Sequence, residues 1–64
     1  MVVNGKEVSL EGQTTVAQYL EAHGYKVSRI AVELNEAILP KARYADTILN
    51  DSDRLEIVSF VGGG

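Results

Sequence analysis

Residues 15–24 read Thr-Val-Ala-Gln-Tyr-Leu-Glu-Ala-His-Gly, and no other stretch constrains the fold as tightly. Thr15 followed three residues on by Gln18 is a capping box, in which each side chain satisfies a backbone donor near the other. Val16 and Leu20 share one helical face, with Ala17 beside them. Gly24 stands where a left-handed residue ends a helix. The pattern predicts a helix over 16–23. Losing the Thr15 cap costs about 1 kcal/mol, a large share of a marginal fold's stability.

Strand patterns flank this helix on both sides. Asn4-Gly5 sits between apolar residues and Lys6-Glu7-Val8-Ser9-Leu10. Asn-Gly in that setting signals a hairpin, because a type I′ turn needs positive φ at both central residues. The alternation Val8, Leu10 turns one face of the second strand inward. After the helix, Ile30, Val32 and Leu34 alternate toward the core, Asn35-Glu36 turns the chain, and Ala37-Ile38-Leu39 forms a short strand that Pro40 stops. Residues 41–46 have room for one short helical turn. Ile48 and Leu49 return to the core, Asn50-Asp51-Ser52-Asp53 is dense in turn formers, and 54–61 is the last strand.

At 64 residues the chain holds one core. It has no cysteine, hence no disulfide and no thiolate for metal or redox work. A net charge of −3 argues against nucleic acid and for a basic docking surface on a partner. No apolar run is long enough to span a membrane, and the N-terminus lacks a signal-peptide pattern. These features predict a soluble cytoplasmic monomer.

In the last strand Leu55 and Ile57 face inward, leaving Glu56, Val58 and Phe60 on the opposite face. Val61-Gly62-Gly63-Gly64 follows directly. Glycine has no side chain, so chemistry at this end belongs to the Gly64 carboxylate, which four extended residues carry at most about 13 Å from the sheet. The alternative is a frayed glycine-rich terminus. Val58 and Phe60 are either surface apolar residues without consequence or a docking patch. Energetics favour the patch: ordering each tail residue inside a partner costs roughly 1–2 kcal/mol, and fully burying one Val or Phe recovers about 1.5–3 kcal/mol.

No catalytic constellation accompanies the tail. His23, the one histidine, lies at the helix end, where it favours the helix C-terminus rather than acting as a base. Asp51 and Asp53 flank Ser52 as solvated turn acids rather than a calcium site. Tyr19, Tyr25 and Tyr44 lack the interleaved basic residues of a nucleic-acid stacking surface. There is neither a phosphate-binding loop nor a metal-ligand cluster. A partner must therefore activate the terminus.

The order of hairpin, helix, strand, short strand, turn, final strand and diglycine end resembles the ubiquitin-like β-grasp fold. More closely, it resembles the ThiS-type sulfur carriers of bacterial thiamine biosynthesis. The matching pieces are Asn4-Gly5, Thr15-Val16 with Leu20, Ala31-Val32-Glu33-Leu34-Asn35, Leu39-Pro40-Lys41 leading to Tyr44, Leu55-Glu56-Ile57-Val58, and Gly63-Gly64. Ser52 departs from the family's Asp-Gly-Asp turn, and Gly62 lengthens the tail to three glycines.

The resemblance implies an α+β fold, a mixed four- to five-stranded sheet with one main helix across it. Residues 1–61 would form the domain and 62–64 a flexible tail. The first and last strands would pair in parallel at the sheet centre. By the same resemblance the chain is not an enzyme and binds no cofactor or metal. A ThiF-type adenylyltransferase, bringing ATP and Mg²⁺, would adenylate Gly64. Sulfur derived from cysteine would then displace AMP to leave a thiocarboxylate for a ThiG-type thiazole synthase. Three other roles suit the same features. They are a molybdopterin-synthase small subunit (generally longer), a ubiquitin-like modifier joining Gly64 to a lysine amine, and a non-covalent module using only Val58 and Phe60.

Overall fold

A computed structural model describes residues 1–60, so the expectations for Val61, Gly62, Gly63 and Gly64 lie outside the described residues. Strands β1 (Val2–Val3) and β2 (Lys6–Glu7) form the opening hairpin, with Asn4 at φ 51 and Gly5 at φ 83, as a type I′ turn requires. Helix α1 (Val16–Ala22) follows. Strand β3 (Ile30–Leu34) and strand β4 (Ala37–Leu39) then pair across a turn in which Asn35 and Glu36 both adopt positive φ. A 3₁₀ helix (Lys41–Asp46) leads toward the last strand, β5 (Arg54–Ser59).

The capping box is complete: the Gln18 N–H donates to Thr15 Oγ1 at 3.1 Å, and the Thr15 N–H donates to Gln18 Oε1 at 2.9 Å. At the other end His23 leaves helical geometry, one residue earlier than the sequence pattern suggests. Gly24, at φ 78, donates its N–H to the Glu21 carbonyl, and the Tyr25 N–H donates to that of Leu20. That pair of bonds is a Schellman closure, and it uses the positive φ that glycine supplies without a Cβ penalty.

The five strands lie in the order β2-β1-β5-β3-β4. β1 and β5 are parallel, with Val2 opposite Arg54 and Val3 opposite Leu55; the other neighbours are antiparallel. A parallel pair needs a long crossover, which here runs from β2 through β4 and includes α1. Thus the parallel pairing expected from the sequence is present, and the last strand is the central one. Val16 and Leu20 of α1 pack with Val32 and Leu55 of the sheet, all fully buried, and Met1, Val3, Ile30, Leu49 and Ile57 complete the core around them.

One inward expectation and one strand boundary need correction. Ile48 is 45% exposed while Leu49 is buried. Residues 47–49 run extended alongside the helix start: the Val16 N–H donates to the Thr47 carbonyl and the Leu49 N–H to that of Thr14. An extended chain alternates sides, so Ile48 and Leu49 cannot both face in. β2 stops at Glu7, so Val8 and Leu10 lie beyond it as half-buried flanks of the core rather than as a strand face. Leu34, at the end of β3, is partly buried and packs against the core, as the alternation indicates.

Tyr44, within the 3₁₀ helix, is a core residue that hydrophobic periodicity does not reveal. Burial pushes its phenol above the ordinary tyrosine range, and a hydrogen bond from the Val32 backbone pulls the other way.

Candidate functional site: the last strand and its outer face

Alternation along β5 sends Leu55 and Ile57 into the core and Val58 outward. Val58 is 52% exposed and Phe60, just beyond the strand, is 56% exposed, on the face the sequence indicates. Ile38 belongs with them. It is 76% exposed, and its neighbour Leu39 takes the inward position opposite Val32. The sequence held that signal, since one of two adjacent apolar residues in a strand must point outward.

Ile38 and Phe60, but not Val58, border a shallow groove of about 220 Å³, lined also by Ala31, Leu39, Pro40, Lys41 and Tyr44 among others. Its origin is the shortness of β4. β4 pairs only with Val32, Glu33 and Leu34, so Ile30 and Ala31 have no strand beyond them on that side. Pro40 has no N–H to continue the ladder, and the chain turns away there. The Lys41 ammonium lies 5.8 Å from the centre of the Phe60 ring, a cation–π approach that leaves the groove apolar with one basic rim residue.

β5 is anchored at three points. At its entry Asp53 is 9% exposed, with Oδ1 accepting from the Asn35 side-chain amide at 3.0 Å and Oδ2 from the Asn50 N–H at 2.8 Å. Asn35 Oδ1 accepts the Arg54 N–H at 2.9 Å, and its own N–H donates to the Arg54 carbonyl. Midway, the Ile57 N–H donates to Asn4 Oδ1 at 2.7 Å. Past the strand end, the Phe60 N–H donates to the Arg29 carbonyl at 3.1 Å. The sequence reading placed Asp53 among solvated turn acids; it is instead a buried hinge pin for the turn. Ser52 does not appear among the residues with positive φ, so this turn has no need of the glycine usual in the family.

His23 has a local structural role, as expected. Its Nδ1 lies 3.0 Å from the Tyr19 carbonyl, and its ring stacks on that of Tyr19 with centres 4.1 Å apart. A larger concavity of about 340 Å³, lined in part by Val8, Thr14, Gln18 and His23, shares no residue with the groove beside Phe60. Among the described residues no group of three His, Asp or Glu side chains is placed to hold a metal ion, and no helix is long and apolar enough to cross a membrane. What the site offers is an exposed apolar face beside the end of β5.

The profile of the ThiS family matches residues 1–64. The chain belongs to the ThiS family. It is 40% identical to the sulfur carrier protein ThiS of Bacillus subtilis over 63 residues, covering 97% of this chain and 96% of that one. The crystal structure of a thiamine biosynthesis protein (ThiS) from Geobacter metallireducens superposes with a TM-score of 0.82 at 32% identity, over 98% of this chain and 96% of that one. A thiazole synthase of Paramagnetospirillum magneticum is 44% identical across the whole chain, which spans only 20% of that protein's length. The ThiS likeness thus covers backbone and sequence together.

Proposed function

We propose that this chain is a sulfur carrier for thiazole formation in thiamine biosynthesis, working through the Gly64 carboxylate. The observation that supports this best is the near end-to-end match to the Bacillus sulfur carrier, 97% of this chain against 96% of that one. A carboxylate is a poor electrophile. In the proposed sequence a carboxylate oxygen attacks the α-phosphorus of ATP on a ThiF-type adenylyltransferase and releases pyrophosphate. Sulfide-level sulfur (HS⁻) derived from cysteine then attacks the acyl carbon and expels AMP, leaving a thiocarboxylate whose sulfur is nucleophilic at neutral pH. ATP and Mg²⁺ belong to the partner, and the carrier contributes the docking face and the backbone end.

A ThiG-type thiazole synthase is the proposed consumer. The Paramagnetospirillum thiazole synthase supports this, since it holds a region like the present chain within its own polypeptide. Intact mass tests the function. Incubated with a ThiF-type enzyme, ATP, Mg²⁺ and a cysteine-fed sulfur source, the chain should gain the mass of sulfur replacing oxygen. An unchanged mass, with the Bacillus carrier converted in a parallel reaction, would sink the proposal.

The outer face has its own expected result. Phe60→Ala, Val58→Ala and Ile38→Ala should each weaken binding to the adenylating partner by about tenfold, since a buried apolar side chain contributes roughly 1.5–3 kcal/mol and these three begin half or more exposed. Thermal melts should hardly move. Calorimetric titration beside the melts decides the matter, and a large loss of stability with unchanged affinity would place these side chains in the fold instead.

A further inference from the structure

Asn4 does more than turn the hairpin. β1 runs beside β5 for only two residue pairs before the chain bends away at Asn4. Within that contact the Val2 N–H donates to the Asp53 carbonyl at 3.0 Å and the Asn4 N–H to the Leu55 carbonyl at 2.9 Å. The next rung of a parallel ladder requires a carbonyl for the Ile57 N–H. The backbone has already left, and the Asn4 side chain supplies that oxygen at 2.7 Å. Past this point β5 is paired on the β3 side alone, through Val58 opposite Ala31 and Ser59 opposite Ile30.

We infer that Asn4 is a positioning residue for the carrier's reactive end, its side-chain carbonyl fixing the angle at which β5 delivers Val58, Phe60 and the tail to a partner. The inference rests on the sulfur-carrier reading. β5 is held on both sides up to Ile57 and afterwards on the β3 side alone, through Val58, Ser59 and the Phe60 N–H to the Arg29 carbonyl, so losing the Asn4 bond leaves its end free to shift on that one side. Gly64 lies seven residues beyond Ile57, at most about 24 Å along a fully extended chain, and a carboxylate misplaced by ~1 Å costs on the order of a hundredfold in rate. Partner contacts recover part of that alignment, so the expected net loss is nearer the worth of one hydrogen bond, about tenfold.

Two substitutions separate the clip from the turn. Asn4→Gly keeps the positive φ and removes the acceptor, whereas Asn4→Asp keeps both. Amide hydrogen exchange and adenylation by a ThiF-type enzyme, followed as ATP–pyrophosphate exchange, are measured on the full chain. For Asn4→Gly, exchange at Ile57 should rise about tenfold while that at Leu20 in the core stays unchanged. Its kcat should fall about tenfold with KM within a factor of two, and Asn4→Asp should restore both readouts. Wild-type kcat in Asn4→Gly, an equal defect in Asn4→Asp, or faster exchange at Leu20 alongside Ile57 would each overturn the inference, the last by showing a general structural role. A wild-type chain that is not adenylated at all would refute the carrier reading instead, and the exchange data would still decide whether the clip exists.

Discussion

A chain lacking Gly63 and Gly64 is expected to dock on the adenylating partner with near-normal affinity and not to be adenylated. The reactive group proposed here is a backbone carboxylate, and the glycines ahead of it bring no side chain to replace it. Removing two residues withdraws the carboxylate by about 7 Å, and adding one residue after Gly64 advances it by about 3.5 Å. Either displacement far exceeds the ~1 Å misplacement that costs on the order of a hundredfold, so both variants should lose at least that much rate. The exposed apolar side chains Ile38, Val58 and Phe60, the proposed docking face, are untouched in both. ATP–pyrophosphate exchange, with intact mass after adding a sulfur source, provides the measurement. Normal adenylation of either variant would show that the terminal carboxylate is not the acceptor.

The second large effect concerns stability. Asp53→Ala should cost roughly 2–4 kcal/mol, because it leaves the Asn50 N–H and the Asn35 amide without their acceptors at a largely buried site, at about 1–3 kcal/mol each. For a domain of this size the melting temperature should fall by roughly 10–30 °C. Asp53→Asn, which keeps one carbonyl oxygen, should lose less. Scanning calorimetry of the three proteins settles it, and an Asp53→Ala midpoint within about 3 °C of the wild type would mean that water satisfies those donors.

How far the sequence alone reaches depends on whether a signal is local. The helix was legible because Thr15, Gln18 and Gly24 announce its ends within a few residues. The two faces of β5 were legible because strand alternation is a local rule, and the resemblance supplied the parallel pairing of β1 with β5. The misses are of another kind. Asn4 reads as a turn residue, and the partner that gives its side chain a second role, Ile57, is 53 positions away. Asp53 looks like any acid in a polar turn until Asn35, 18 residues earlier, is brought to it by the sheet. Ile48 and Leu49 are both apolar, and only the extended pairing with the helix start decides which of them faces out. Ile38 is the one miss that strand alternation against Leu39 could have corrected.

The central place of β5 also bears on what happens to damaged copies of this protein. A chain cut anywhere upstream of Ser59 loses rungs on β3, and one cut before Arg54 loses its middle strand altogether. A cut before Arg54 takes Leu55 and Ile57 from the core together with Val58 and Phe60 from the exposed face. Clipping within the last few residues is different. It spares strands β1 to β5 and the exposed apolar face, so on the proposed function a trimmed chain would still compete for the partner. On the proposed function, trimmed chains would inhibit in proportion to their share of the carrier pool, whereas deeper cleavage lowers the supply of carrier.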